Sequence, residues 1–291
     1  MNYRNAFLIR AGSKALVRTG AALTLILGAM FPVGTLGMAL QAIPKEYFPA
    51  TSVYLGVEAA LTFALVWAST TPARALLITI LLFFLATALE FFGLATGIPF
   101  GTYYYAYTLE PFVISNVPLA IVFAWYILVV NIVLLSRPSC GQAGNQRSAP
   151  DTMLTSMAGG VMILGIDIML EPFASFVNHY WTWAGGVIPP ENYASWFASG
   201  TLLIALTETV LRIPSGRGDR TAGRPEDGPA VHSALSGAPQ ARPAALLPEL
   251  VIGLTLVQCA VINVLNGYWL ATAAGLLLCG AGYWRIRHAQ V

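Results

Sequence analysis

The chain has 291 residues, of which 57% are hydrophobic and only 10% are Asp, Glu, Lys or Arg. A soluble domain carries about 25% charged residues, so the composition excludes a water-soluble enzyme and points to an integral membrane protein whose length is taken up by helices. A net charge of +2 is too small to attract a polyanion, which removes nucleic acid as a partner.

Continuous apolar runs of the roughly 20 residues needed to span hydrocarbon fall at 16–40, 51–69, 75–97, 117–136, 153–173, 194–212, 246–265 and 267–284. None alternates with period two as a barrel strand does. The fold class expected is therefore all-α, a polytopic bundle of about eight transmembrane helices. The first run is too long and too Gly-rich for a signal peptide, and no small-residue cleavage site flanks it. Residues 98–116 and 174–193 form long loops that hold most of the Tyr and Trp clusters together with the chain-shaping runs Pro99-Phe100-Gly101 and Ile188-Pro189-Pro190-Glu191-Asn192. Residues 137–150 are a polar loop. Residues 214–245, rich in Pro, Gly, Ala and Ser with scattered charge, cannot bury a core and are expected to be a disordered cytoplasmic linker. This divides the chain into a six-helix catalytic region at 1–213, the linker, and two C-terminal helices at 246–291. With the N-terminus in the cytoplasm, all 15 Lys and Arg except Lys45 fall on that side. Both termini are then cytoplasmic, in a multi-pass protein of the bacterial inner membrane.

Carboxylates within hydrocarbon are costly and mark functional sites. Glu90 lies in the outer third of the third run. Asp167 and Glu171 lie one turn apart on one face of the fifth, just before Pro172. Glu58, in the outer half of the second run, falls in the same depth band. No Lys or Arg shares that band, so at least one of these acids is expected to be protonated at neutral pH, as a general acid must be. The bland alternative is a polar network that glues helices together, and it weighs most for Glu58, which has no motif around it. Glu208 and Glu249 lie near cytoplasmic helix ends, and Arg212, one turn beyond Glu208, is a ready partner; both read as structural. The aromatic loops would by default be interfacial belts. His179 reads as a hydrogen-bonding residue at the interface, whereas Asn116, Asn178 and Asn192 are candidates to orient a water. Cys140, Cys259 and Cys279 show neither metal-ligand spacing nor a disulfide pattern.

One pattern is more specific. Glu90-x2-Gly93-x3-Gly97-x-Pro99-Phe100-Gly101-x-Tyr103-x-Tyr105 is followed by Val117-Pro118 and Trp125, then Asp167-x3-Glu171-Pro172, then Trp181-x-Trp183-x-Gly185, then Ile188-Pro189-x2-Asn192-Tyr193-x2-Trp196. The order and spacing resemble the integral-membrane carotenoid hydratases, of the bisanhydrobacterioruberin hydratase and monocyclic-carotenoid 1′-hydratase type, over about residues 50–212. The chain departs from that pattern at Glu171, where Asp is usual, and at Ser195, where Gly is usual.

The resemblance implies addition of water across the terminal C1=C2 bond of an acyclic carotenoid end. Protonation of the less substituted carbon leaves a tertiary cation, and water captures it. No cofactor and no metal are implied. Glu90, Asp167 and Glu171 are the expected catalytic acids. Glu58, Phe100, Tyr103, Tyr105, Trp125, Trp181, Trp183, Asn192 and Trp196 are the expected substrate-binding residues, with the electron-rich rings available to a cation. The expected partners are a lycopene-like or monocyclic carotenoid with a free acyclic end and membrane lipid, with other enzymes of the carotenoid pathway as candidates. Two rivals share the features. A carotenoid end-group cyclase begins with the same protonation but excludes water. A proton-coupled transporter of a lipid-like substrate would string acids along a path instead of gathering them in one band.

Overall fold

The computed structural model describes residues 3–44, 47, 49–137, 149–212 and 247–288. The expected linker at 214–245, Lys45 and Cys140 lie outside the described residues. Among those described, eight α-helices follow in order: α1 Tyr3–Ala39, α2 Ala50–Ser69, α3 Pro72–Thr96, α4 Leu119–Leu135, α5 Ala149–Glu171, α6 Pro190–Arg212, α7 Leu247–Leu265 and α8 Trp269–His288. The protein is thus an all-α transmembrane bundle, and six of its helices are long and apolar enough to cross a membrane by length and composition: α1, α2, α3, α5 with its extension, α6 and α7.

The 17-residue α4 is shorter, and 13 of its residues are buried. A helix that is apolar all round has no face to give to water; here it becomes the central post, packed against α2, α3, α6 and α7. The final helices complete the bundle, α8 against α5 and α7 against α1 and α4.

Two features depart from a reading of plain spans and loops. Beyond Glu171 the helix does not stop at Pro172. It continues as a π-helix over Pro172–Val177, in which the Asn178 N–H reaches the Phe173 carbonyl at 3.0 Å. Proline supplies no N–H, and π-turns, rare elsewhere, occur as single turns within α-helices, frequently at functional sites. The aromatic loops, moreover, contain short strands. β1 (Tyr103–Tyr105) pairs antiparallel with β4 (Trp181–Trp183), and β2 (Phe112–Ile114) pairs antiparallel with β3 (Val117–Pro118). The β1–β4 ribbon closes one end of the bundle over α3, α4 and α5.

Candidate active site

Glu90 leaves α3 two turns before the helix ends. Gly97 terminates that helix in the left-handed region, φ 74°, a conformation open to glycine without strain. The chain then doubles back so that β1 passes over the helix it has just left. A Cβ on Gly93 would lie 2.9 Å from the Phe100 ring and 3.1 Å from the Tyr103 hydroxyl; glycine here lets the strand come down onto Glu90.

The ribbon register then sets the chemistry. Tyr103 stands opposite Trp183 and Tyr105 opposite Trp181. The flanking bonds run from the Ala106 N–H to the Tyr180 carbonyl and from the Ala184 N–H to the Thr102 carbonyl. By alternation Tyr104–Thr182 is the hydrogen-bonded pair, and the two aromatic pairs occupy the closer, non-hydrogen-bonded positions. Their ring centroids lie 5.3 Å apart for Tyr103–Trp183 and 5.9 Å for Tyr105–Trp181. Alternation sends Tyr104 and Thr182 outward while Tyr103, Trp181 and Trp183 are buried inward.

All four inward polar groups on this ribbon point their hydrogens at carboxyls. The Tyr103 and Tyr105 hydroxyls each donate to Glu90 Oε2 at 2.8 Å, and Trp125 Nε1–H from α4 donates to Glu90 Oε1 at 2.9 Å. Glu171 Oε2 accepts from Ser175 Oγ at 2.9 Å, Trp183 Nε1 at 3.0 Å and Trp181 Nε1 at 3.2 Å. Asn192 of α6 spends both amide hydrogens as a bridge, reaching Glu171 Oε1 at 3.0 Å and Asp167 Oδ2 at 3.1 Å. Trp196, one turn on, stacks on Trp125 with centroids 4.4 Å apart. Burial, followed by the neighbouring Glu90 charge, raises both tyrosine phenols above their ordinary range, so each remains a proton-bearing donor.

Between Glu90 and Glu171 lies a cavity of about 30 Å³, walled by Phe100, Tyr103, Tyr105, Trp181, Trp183, Asn192 and Trp196. Room for a water begins at about 10–15 Å³ on this measure, so this cell fits one or two waters and no hydrocarbon end group. Asp167 is fully buried behind Asn192 and does not reach its wall.

On the other side of Ile121, Ala124, Leu170 and Trp181, which line both spaces, is an apolar cavity of about 110 Å³. It is walled by α2, α4, α5 and α7, and Glu58 faces it. Through Met38, Thr51, Tyr54, Tyr180 and Gln258 it adjoins a groove of about 420 Å³ between α1 and α2. Val33 and Tyr47, strongly exposed, line this groove, which therefore opens sideways out of the bundle. On the loop side, Tyr103 and Tyr105 also line a vestibule of about 210 Å³ with Ser115 and Asn116.

Every residue expected at the site is therefore gathered in or behind the small cell except Glu58, which faces the adjoining apolar cavity. His179 is exposed, with φ 51° and its ring against the Ser175 carbonyl. Asn178 is buried in another pocket beside Gln41, and Asn116 lies out in the vestibule, so of the three asparagines Asn192 alone reaches the acids. Ser175 is absent from the sequence analysis because the fifth apolar run ends at 173 and places it in the loop at 174–193. Its position four residues after Glu171 was the available signal. Glu208 accepts from Ser136 Oγ at 2.7 Å and faces Arg212 at 3.9 Å, and Glu249 pairs with Arg287.

Fold and site together define a multi-pass membrane protein with carboxyl groups caged by aromatic donors in the bundle interior. The chain belongs to the family of carotenoid biosynthesis proteins, whose model matches residues 50–227. Bisanhydrobacterioruberin hydratase of Haloarcula japonica is 29% identical over 121 residues, covering 40% of this chain and 39% of that relative. No solved structure matches the chain.

Proposed function

We propose that the protein is a carotenoid hydratase, a hydro-lyase that adds water to the terminal C1=C2 bond of an acyclic carotenoid end by proton chemistry alone. The observation that carries this reading is the pairing of two adjoining cavities of opposite character. One is a water-sized cell with two carboxyl groups on its wall, and the other is an apolar cavity reached from a sideways-opening groove. A hydration must bring a hydrocarbon and a water together while keeping them in separate solvents until they meet, and this arrangement does so.

The polyene enters between α1 and α2 and lays its end group in the apolar cavity. Water enters past Tyr103 and Tyr105 from the vestibule. A neutral carboxyl protonates the less substituted alkene carbon, and the π pair becomes the new C–H bond. The cation forms where the cavities share a wall. Trp181 lines both and offers a ring face to it, a contact worth about 2 kcal/mol or more when desolvated. A water in the cell attacks the tertiary carbon and gives its excess proton to Glu171 or Glu90. Both are suited to act as bases, because each is held by N–H groups that can only donate and so favour the anion, Trp125 on Glu90 and Trp181, Trp183 and Asn192 on Glu171. Asp167 acts through Asn192 as a positioning residue. The alcohol leaves at the loop end of the bundle; the distribution of basic residues supports reading that end as the outer face of a bacterial inner membrane.

The relative's name concerns bisanhydrobacterioruberin; a lycopene-like or monocyclic carotenoid with one free acyclic end presents the same bond. Expression in a lycopene-producing host followed by mass spectrometry of the pigments tests the reading. A product heavier by one water is expected. A new pigment of unchanged mass would replace hydration with cyclisation.

A further inference from the structure

Hydration needs a proton on the hydrocarbon side, and the caged acids are poorly placed to give one. Each oxygen of Glu90 and Glu171 is engaged by at least one inward-pointing donor. Asp167 lines neither cavity. Glu58 is different. It projects from the middle of α2 into the apolar cavity and is 2% exposed, and its Oε1 meets no hydrogen-bond partner. Among the described residues, no Lys, Arg or His lines this cavity. An isolated carboxylate cannot be kept in such surroundings, because its desolvation is offset by neither a donor nor a cation. A neutral carboxyl can, and it then carries a free O–H in the space that fits the alkene. The other ionisable proton-bearing side chains on that wall, Tyr54, Tyr180 and Cys259, are intrinsically far weaker acids.

We infer that Glu58, which carried no motif in the sequence, is the proton donor that starts the reaction, acting from the hydrocarbon cavity while the caged acids act from the water cell. The inference rests on the hydration reading. The Glu58 O–H proton passes to the less substituted alkene carbon, the π pair forms the C–H bond, and the O–H pair remains on Glu58 as a carboxylate. The tertiary cation then lies between that carboxylate and the Trp181 wall. Water adds its lone pair to the cation, and its surplus proton goes to Glu171 or Glu90. One proton has left Glu58 and one has arrived at the caged acids, so exchange with solvent restores both and no other reactant is needed. Donor and acceptor thus lie on opposite sides of the reacting carbons, so water adds from the side away from the acid, and a cation that water does not capture returns a proton to the Glu58 carboxylate.

Deuterium separates the two half-reactions. Full-length protein in membranes is given lycopene in D2O, and mass spectrometry reads both the water adduct and carbon-bound deuterium in the recovered, unhydrated lycopene. Wild type should form hydrate carrying deuterium on carbon. Glu171→Gln should lose most of the hydrate yet accumulate deuterated lycopene, because protonation by Glu58 continues and the uncaptured cation expels a proton. Glu58→Gln should lose both signals by a factor of about 10²–10⁴, the usual worth of a general acid. Glu58→Asp should recover part of both, which a merely structural loss would not do. Hydrate or deuterated lycopene at wild-type levels from Glu58→Gln would overturn the assignment, as would failure of Glu58→Asp to recover either in a variant that still co-purifies with lycopene. If wild type deuterates lycopene without hydrating it, and Glu58→Gln does not, the hydration reading fails while the donor stands. If wild type does neither, both fail.

Discussion

Glu171 and Glu90 are held by seven hydrogen bonds, four on the first and three on the second, and four of the seven come from indole or amide N–H groups that can only donate. A hydrogen bond to a charged group is worth about 1.5–3 kcal/mol, so at Glu171, where N–H groups face both oxygens, an amide turns an N–H toward a donor and breaks the cage as well as removing the base; at Glu90 the amide can donate to the tyrosine hydroxyls, and the loss is that of the base alone. Glu90→Gln and Glu171→Gln are each expected to lower the rate of hydrate formation more than tenfold in a membrane-inserted protein; near-normal rates in both would remove the site. Glu171→Asp keeps the charge and restores the residue usual in the resembling family, and should retain the reaction within tenfold. Glu208 is the control. It sits 16 residues along α6 from Asn192, roughly 24 Å at 1.5 Å per residue, and is satisfied by Ser136 and Arg212. Glu208→Gln should leave turnover within about twofold. Asp167 calls for a different measurement, because it lines no cavity. Asp167→Asn should lower kcat through a displaced Asn192 while the KM for the carotenoid stays unchanged. A KM that rises with kcat constant would instead place Asp167 against the substrate. The acids themselves were legible in the sequence, since an ionisable group in an apolar run stands out. The cavity that each acid faces was not, because depth along a helix says nothing about the direction of a side chain. Glu58 shares the depth band of the others and faces a different space.

The elements that assemble the site were read in part. Apolar runs found all eight helices, because a stretch that must satisfy every backbone group within itself has little choice in a membrane. Their ends were less legible. α1 begins at Tyr3, well before its apolar run, and α5 passes Pro172 through a π-turn that places Ser175 under Glu171. The β1–β4 ribbon was missed, although Tyr103-x-Tyr105 and Trp181-x-Trp183 carry the period-two signature of a strand. Three residues are too few to set such a pattern apart from an interfacial aromatic belt. The partner strand, moreover, is distant in sequence, with Tyr103 opposite Trp183. The ribbon makes a sharp prediction at Thr182, whose side chain is exposed while its backbone pairs with Tyr104. Thr182→Val keeps the backbone donor and a β-branched side chain, and should retain near-normal hydration. Thr182→Pro removes the N–H that the central pair requires and should reduce hydrate formation at least tenfold with the protein still inserted, because Trp181 and Trp183 lose their aim at Glu171. Equal activity in the two variants would show that the tryptophans are held by helix packing alone.

Across the whole molecule, the charges and the chemistry occupy opposite ends. Following the connections from α1 to α8, Arg74, Arg137, Arg212, Arg285 and Arg287 fall at helix ends remote from the two aromatic loops, and Arg18 opens the apolar span Arg18–Ala39 within α1. The caged acids and the vestibule lie at the loop end. Basic residues stay in the cytoplasm, so the water cell should draw from the opposite side and release a tertiary alcohol among the outer headgroups, while the polyene remains in hydrocarbon throughout. Cysteine accessibility in intact cells tests this arrangement. Cys259 and Cys279 are buried, and Cys140 can be replaced by Ser to give a quiet background. In that background Glu110→Cys, between the aromatic loop strands, should react with a membrane-impermeant maleimide added to whole cells. Ser69→Cys, at the far end of α2, should react only after the membrane is permeabilised. The reverse pattern would turn the bundle over, placing the vestibule and its water supply at the cytoplasmic face and the basic helix ends outside, and the positive-inside reading of the chain would fall with it.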